Sequence, residues 1–341
     1  MEKALVVPPR VKPGDTVAIV CPSAPAVACW PHRVERGRDY LHSLGLRTRL
    51  MTNAGARDGH TAGTPEQRAA DIHEAFLDPE VSVVLAAIGG YNSNQLLRHL
   101  DFDLIAAHPK IVQGYSDITW LLWAIAARSN LRTFHGPALV PELGEFPTVL
   151  PYTDDSLRAA WFGDGPVDLA PADTWTDEFR DWFEKEDLTR PRTLIPGDGW
   201  RTLRGGQAEG WLFGGNLPTI GWHLRGSDLF PDLTGALLFL EVSEDSPPPG
   251  EVDSYLTDLE DLGVFEQVTG LLFGRPLRYP ASQVEALLDV VRRRTERSGI
   301  PVIADVDLGH ADPMLTLPLG ARAQMDASAK RIRLLEAGTR S

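Results

Sequence analysis

The chain has 341 residues and a net charge of −14, and its 43 % hydrophobic and 23 % charged residues are typical of a globular protein with a core. The negative charge disfavours nucleic acid polymers and anionic membrane surfaces as partners. Two cysteines are too few for a disulfide framework, no apolar run approaches membrane-spanning length, and residues 1–10 lack a signal-peptide apolar region. We therefore expect a soluble, cytoplasmic protein, and the length favours two domains.

Apolar strands alternate with helical patterns over the first 135 residues. Strands are predicted at residues 16–21, 46–51, 81–88 and 132–135, and helices at 34–44, 65–77 and 92–100. Thr64 and Pro65 mark the start of the second helix as its cap and first-turn proline. Strands that are apolar throughout and separated by helices indicate an α/β fold with a parallel sheet covered on both faces.

A strand, a tight turn and a helix are predicted around Ser116. The apolar run that starts at Ile111 ends in Gly-Tyr-Ser-Asp at residues 114–117, and an apolar helical pattern follows. A serine at such a turn is lifted out of the sheet, and backbone N–H groups at the helix start can receive an oxyanion. Ile118 stands where the common Gly-x-Ser-x-Gly elbow has its second glycine. The alternative is that Ser116 and Asp117 only cap the helix.

The pattern changes between residues 151 and 200. Pro, Asp and Trp accumulate and periodicity fades, except at residues 175–183, where Trp175 and Trp182 stand seven apart. So long a weakly patterned stretch is more often a functional loop than a spacer. The alternative for the two tryptophans is packing on one helix face.

The second half mixes strands and helices. Strands are predicted at 208–213, 236–242, 270–273 and 302–306, helices near 251–262 and 283–297, and a terminal hairpin within 321–335. We find no internal repeat.

A serine nucleophile needs a base, and the base needs a group that orients it. His135 and His310 both follow a predicted buried strand and precede a chain-breaking residue, and their positions do not separate them. Glu241 ends a strand of five apolar residues, where a carboxylate is costly to bury without a partner. Glu241 is therefore the candidate orienting group, and the alternative is an exposed carboxylate at a strand end.

Three separated blocks resemble the catalytic blocks of the LD-carboxypeptidase family of serine peptidases, which includes the microcin C self-immunity peptidases. The blocks are residues 114–119, residues 240–245 and Gly309-His310, and further similarity lies at 88–97 and 214–217. The resemblance implies a triad of Ser116, Glu241 and His310, with an oxyanion hole formed by the backbone of Asp117 and Gly90.

The resemblance also implies an architecture. An α/β domain with a three-layer parallel sheet would span residues 1–165, an inter-domain substrate loop 166–200, and a smaller β-rich domain 201–341. The site would lie between the domains, commonly in a homodimer. No cofactor is implied, and we see no Cys/His cluster with metal-ligand spacing.

The branch of the family decides the expected substrate. Asn92-Ser93-Asn94 and the tryptophan-bearing loop resemble the microcin immunity branch, whose substrates are aminoacyl-nucleotide amides and whose loop tryptophan stacks on adenine. Tyr91 resembles the branch that cuts murein peptides. We therefore predict an immunity-type hydrolase active on aminoacyl sulfamoyl adenylates, a function linked to antibiotic resistance. The residues expected to bind substrate are Trp182, Trp175, Asn216, Tyr91 and Asn92.

Two alternatives remain. One is a muramoyltetrapeptide LD-carboxypeptidase of murein recycling, and the other is a catalytically silent binding protein on the same fold. Competent residues at Ser116, Glu241 and His310 favour an enzyme over the silent protein.

Overall fold

The computed structural model describes residues 4–341, so the first three residues of the segment without a signal-peptide pattern lie outside it. Strands β1–β16 are Thr16–Val20, Arg47–Leu50, Val81–Ala86, Ile111–Gly114, Phe134–His135, Val167–Leu169, Thr174–Trp175, Ile195–Pro196, Arg201–Arg204, Gln207–Asn216, Ala236–Glu241, Gly270–Gly274, Val302–Val306, Leu317–Pro318, Arg322–Asp326 and Arg331–Leu334. Helices α1–α10 are Ala26–Cys29, Pro31–Ser43, Pro65–Leu77, Phe102–Ala107, Ile118–Ser129, Pro151–Phe162, Leu217–Thr219, Pro249–Asp261, Val264–Gln267 and Ala281–Arg294.

The first sheet has six strands in the order β14-β5-β4-β3-β1-β2. Strands β1 to β5 are parallel, and β14 joins the edge at β5 in antiparallel pairing from near the end of the chain. Strands β1, β3 and β4 are fully or almost fully buried, as expected for a parallel sheet with helices on both faces. The N-terminal half is therefore the predicted α/β unit.

The second sheet has eight strands in the order β6-β16-β15-β10-β11-β12-β13-β9. Its centre, β10 to β13, is parallel, and its outer strands are antiparallel. Asn216 at the end of β10 lies beside Glu241 at the end of β11. The carboxyl ends of its parallel strands thus carry polar groups, the usual place for a site in such sheets.

The two halves share one hydrophobic core. Trp120 and Trp123 of α5 belong to the same buried cluster as Phe213 of β10 and Phe239 of β11. The Trp123 indole lies 4.8 Å from the Phe213 ring and donates a hydrogen bond of 2.8 Å to the carbonyl of Gly214. Helix α5 therefore fixes the position of the second sheet as well as that of Ser116.

The predicted fold class, a parallel α/β half followed by a sheet-rich half, is confirmed. The stretch from 151 to 200 differs from expectation in two ways. Helix α6 occupies residues 151–162, where the sequence shows only weak patterning. Trp175 lies in β7 and Trp182 in a turn, so the alternative that both pack on one helix face is wrong. No helix among residues 4–341 is long and apolar enough to cross a membrane.

Candidate active site

Ser116 stands at the turn between β4 and α5. Its φ of 61° lies in the left-handed region, which non-glycine residues rarely adopt and which nucleophilic serines at strand–helix turns share. The residue is 9 % exposed and lines a cavity between the two halves. Helix α5 begins at Ile118, so its positive N-terminal end faces the region of Ser116.

Two glycines after β3 leave space beside the serine. A Cβ atom on Gly89 would lie 2.8 Å from the Ser116 Cβ and 3.2 Å from the Asp117 nitrogen. Gly90, with a φ of 145°, packs against Ser23 and Ala24. The Asp117 and Gly90 N–H groups have no hydrogen-bond partner within residues 4–341, so both are available to an oxyanion.

Glu241, His310 and Asn216 form a chain of hydrogen bonds. His310 Nδ1 lies 2.8 Å from Glu241 Oε2, and Asn216 Nδ2 donates to Glu241 Oε1 over 2.9 Å. Glu241 is 1 % exposed, so its charge is buried but has two partners. Burial opposes ionisation, yet His310 and Asn216 hold the pKa of Glu241 below its usual value. His310 and Asn216 are thus the partners that a buried carboxylate at Glu241 needs.

The second ring nitrogen of His310 contacts another carboxylate. Nε2 lies 2.8 Å from Glu244 Oε2, and the Glu244 side chain is 55 % exposed whereas that of His310 is only 7 % exposed. Burial disfavours the charged imidazolium, but Glu241 and Glu244 together raise the pKa of His310 well above its usual value. His310 is therefore protonated in this arrangement, and no hydrogen bond joins it to Ser116 within residues 4–341.

His135, the competing candidate base, lies beneath the site. It is fully buried between Tyr115 and Phe239, with ring centroids 6.2 and 5.1 Å away. Neither ring nitrogen has a hydrogen-bond partner in the described part of the chain. Burial lowers the pKa of His135 to about 4, so its ring is neutral. The carboxylate Glu241 hydrogen-bonds His310 and not His135.

The cavity at Ser116 has a volume of about 430 Å³ and is bounded by both halves and by residues 177–192. Its aromatic wall includes Trp30, Tyr91, Phe179 and Trp182. The Arg33 guanidinium lies 4.4 Å from the centre of the Trp182 ring, and the Trp30 and Phe179 rings lie 5.3 and 5.4 Å away. The cavity thus combines a polar reaction centre with an aromatic surface that suits a flat ligand group.

Ion pairs hold residues 177–192 against both halves. Asp187 contacts His32, Arg33 and Arg36 of the N-terminal half. Arg192 lies 2.8 Å from Asp312, two residues after His310, and 3.0 Å from Glu145. These ion pairs therefore hold part of the predicted substrate loop next to Ser116 and His310.

Three residues predicted to bind substrate do not line the cavity. Trp175 packs near Arg275, whose guanidinium lies 5.0 Å from the ring centre. The Asn92 N–H donates to Ser23 Oγ, and Asn216 lies beneath the site on Glu241. Their role in substrate binding stays a prediction, whereas Tyr91 and Trp182 do lie on the wall.

The cavity wall also includes three residues that the sequence did not predict for the site: Glu244, Gly89 and Arg278. Glu244 stands three residues after Glu241 in a polar run, a signal that could have drawn attention to it. Gly89 directly precedes Gly90, the residue predicted for the oxyanion hole, and this neighbourhood is the signal that could have identified it. Arg278 comes from a loop with no motif and was not identifiable from the sequence. Within residues 4–341 we find no group of three or more His, Cys, Asp or Glu residues arranged to hold a metal ion.

A serine at a strand–helix turn, spare N–H donors and a carboxylate-bound histidine in one cavity define a serine hydrolase. Family models agree with this class. The model for the LD-carboxypeptidase N-terminal domain matches residues 17–136, and the model for the C-terminal domain matches residues 209–325. The chain belongs to the LD-carboxypeptidase family of serine peptidases.

Individual relatives cover nearly the whole chain. The microcin C7 self-immunity protein MccF of Escherichia coli is 34 % identical over 327 residues, which are 95 % of this chain and 94 % of that protein. A Bacillus subtilis protein named "Probable murein peptide carboxypeptidase" is 31 % identical over 334 residues, 97 % of this chain and 94 % of that one. The structure of MccF in complex with aspartyl sulfamoyl adenosine superposes with a TM-score of 0.89 at 32 % identity, covering 98 % of this chain and 100 % of that one.

Proposed function

We propose that Ser116, His310 and Glu241 are the catalytic triad of an amidase that hydrolyses aminoacyl-nucleotide amides, as in microcin C immunity. The observation that carries the proposal is the 2.8 Å contact between His310 and the buried Glu241, in the cavity that Ser116 lines. Glu241 fixes the orientation of the imidazole and stabilises its charged form, and Asn216 holds Glu241 in turn. Asn216 is thus a positioning residue.

In the acylation step, Ser116 Oγ attacks the acyl carbonyl while neutral His310 takes the hydroxyl proton. The Asp117 and Gly90 N–H groups bind the oxyanion of the tetrahedral intermediate. The C–N bond then breaks, and imidazolium gives its proton to the leaving nitrogen. Water repeats the sequence on the acyl-enzyme, with His310 as base, and releases the carboxylic acid and free Ser116.

This mechanism requires Glu244 to leave His310. With Glu244 on Nε2, the imidazole is protonated and has no free lone pair for the serine proton. Because Glu244 is largely exposed, its side chain is free to turn into the cavity without repacking the core. A bound substrate must therefore displace Glu244 before His310 can act as base.

Two features support the choice of an aminoacyl nucleotide. Trp182 and Phe179 give the cavity a flat aromatic wall, and base–aromatic stacking suits such a wall. MccF, similar to this chain over 98 % of its length, has been solved with aspartyl sulfamoyl adenosine. The homodimer, the cytoplasmic location and the link to antibiotic resistance stay predictions that accompany this proposal.

A murein tetrapeptide carboxypeptidase is the second candidate, because Arg278 can bind a carboxylate. Its Nε donates to the carbonyl of Asp177, and its terminal nitrogens have no hydrogen-bond partner within residues 4–341. The side chain lines the cavity with Ser116 and is exposed. A guanidinium there suits the terminal carboxylate of D-alanine.

The two functions are separated by incubating the purified protein with two substrates in parallel and following the products by mass spectrometry. One substrate is an alanyl sulfamoyl adenosine, and the other is a murein tetrapeptide that ends in D-alanine. We expect sulfamoyl adenosine to be released. Release of D-alanine with the nucleotide left intact would replace the proposal by the carboxypeptidase.

The triad is tested with Ser116→Ala, His310→Ala and the double variant. Each single substitution should lower kcat by about 10⁴- to 10⁶-fold, and the double variant should be no worse, because the residues act as a unit. His135→Ala should instead lower stability. Coupling of Ser116 with His135 in place of His310 would reverse the assignment. An active Ser116→Ala variant would exclude Ser116 as the nucleophile, whereas a wild-type protein that cleaves neither substrate would favour the silent binding protein.

A further inference from the structure

Glu244 has a position that the triad does not require. It is a carboxylate on the cavity wall, 2.8 Å from the nitrogen of His310 that must receive the serine proton. A permanent contact there would keep the base protonated. The contact is useful only if something in the substrate takes Glu244 away.

The proposed reaction determines which substrate groups lie near Glu244. The atom that Ser116 attacks is the acyl carbonyl carbon, which has to lie between the serine and His310. In an aminoacyl compound the next carbon carries the α-ammonium group. A cation attached so close to the reacting carbon falls within reach of a carboxylate that touches the catalytic imidazole.

Of the other acids on the wall, five are engaged elsewhere, Glu178 with Arg180 and Arg190, and only the half-buried Asp177 has no side-chain partner within residues 4–341. Glu142 accepts hydrogen bonds from Tyr115 and from the Ala138 N–H, and Glu145 and Asp312 pair with Arg192. Asp187 pairs with Arg33. Glu244 is the cavity acid whose cationic partner is the catalytic base itself, so a substrate cation would replace His310 as that partner.

We propose that Glu244 is a specificity-determining residue that binds the α-ammonium group of the acyl residue, and that this exchange frees His310 to act as base. The inference rests on the proposed function and adds a requirement for a free α-amino group. A murein tetrapeptide has no such group at the residue before D-alanine, because that nitrogen is in a peptide bond. Glu244 would therefore favour aminoacyl nucleotides over peptides.

The test compares two substrates that differ only in the α-amino group, alanyl and propionyl sulfamoyl adenosine, at pH 7. We expect the wild-type protein to favour the alanyl compound in kcat/KM by about 10- to 100-fold, the usual contribution of a hydrogen-bonded charge. In Glu244→Gln the ratio should fall towards one. In this variant no carboxylate holds Nε2, so His310 has the same protonation with both substrates and the preference for the α-amino group is lost.

Glu296→Gln is the matched control, because Glu296 is an exposed carboxylate outside the cavity and should leave the ratio unchanged. Dissociation constants measured in the Ser116→Ala background provide a second readout, in which Glu244→Gln should again abolish the preference. Equal cleavage of both substrates by the wild-type protein, or an unchanged ratio in Glu244→Gln, would overturn the inference and leave the proposed function standing. Cleavage of neither compound would overturn both.

Discussion

In the proposed mechanism the chemistry of the site depends on His310, and each of its ring nitrogens contacts a carboxylate. One carboxylate, Glu241, is buried, whereas the other, Glu244, is largely exposed. Both stabilise the imidazolium. In the proposed mechanism only Glu241 stays hydrogen-bonded to the ring during the reaction and keeps it oriented. Glu241 and Glu244 together raise the pKa of His310, and this pKa falls when the exposed Glu244 moves away.

The pH dependence of kcat/KM should report this pKa. In the proposed mechanism only neutral His310 acts as base, so activity should rise with pH through the raised pKa of the imidazole. Glu244→Gln removes one of the two anions that raise the pKa, and the acid limb should move to lower pH. The measurement is a pH profile of kcat/KM with propionyl sulfamoyl adenosine, which has no α-amine to titrate.

Glu142 is a further acid near this ring, and His135 is neutral above about pH 4. Glu142→Gln is a useful comparison, since its carboxyl is buried and bonded to Tyr115. A profile for Glu244→Gln that coincides with that of the wild type would show that another group sets the acid limb.

At the residue scale, the sequence could indicate Ser116 and Glu241 because each breaks an apolar pattern at the end of a strand. It could not separate His135 from His310, since both occupy equivalent positions after strands. Only the three-dimensional arrangement shows that Glu241 reaches His310. Glu244 could not be predicted either, because a carboxylate in a polar run looks like any solvent-exposed acid in the sequence.

Among the elements, the segment of residues 177–192 does most to shape the substrate site. Trp182 should serve as its stacking surface. Trp182→Ala should weaken binding of an aminoacyl sulfamoyl adenosine to the Ser116→Ala protein by about 1–3 kcal/mol, the value of one base–aromatic stack. Isothermal titration calorimetry measures this change directly, and Trp182→Phe should recover part of the loss.

The matching substitution at Trp175 decides between the two tryptophans. Trp175 is beside Arg275 and off the cavity wall, so its truncation should have the smaller effect on binding. If Trp175→Ala weakens binding and Trp182→Ala does not, the assignment of the stacking residue is wrong.

Elements with complete local signals were predictable. Helix α3 has its Thr64 cap, its Pro65 and a capping box with Gln67, and it spans the predicted residues. Helix α6 has a first-turn Pro151 but a polar Thr153 on its buried face, which weakened the apolar period. Residues 175–183 are the opposite case. Their aromatic residues have helical spacing but form no helix, and Trp182 instead packs against Trp30 and Phe179.

For the whole molecule, the joint between α5 and β10 is the most sensitive to substitution. A Cβ atom on Gly215 would lie 2.5 Å from Thr119 Cγ2, and the φ of Gly215 is 148°. Gly215→Ala should therefore lower the free energy of unfolding by about 1–3 kcal/mol. Because the halves share one core, the urea transitions followed by circular dichroism and by tryptophan fluorescence should shift together.

Gly250→Ala is the control, since a Cβ atom there meets nothing within 4 Å. It should leave both transitions in place. Two separate transitions in Gly215→Ala, of which only one has moved, would mean that the halves unfold independently. The sequence could not predict this joint, because it depends on a close approach of residues far apart in the chain.

The antiparallel pairing of β14 with β5 has a consequence for how the protein is made. Residues 134–135 leave the ribosome long before residues 317–318. The edge of the first sheet at β5 therefore stays unpaired for more than half of translation. Strand β6 likewise waits for β16 at residues 331–334. His310 enters the site in the same late stretch of chain. A nascent chain that carries Ser116 therefore still lacks His310, so with the proposed triad hydrolytic activity begins only when synthesis is almost finished.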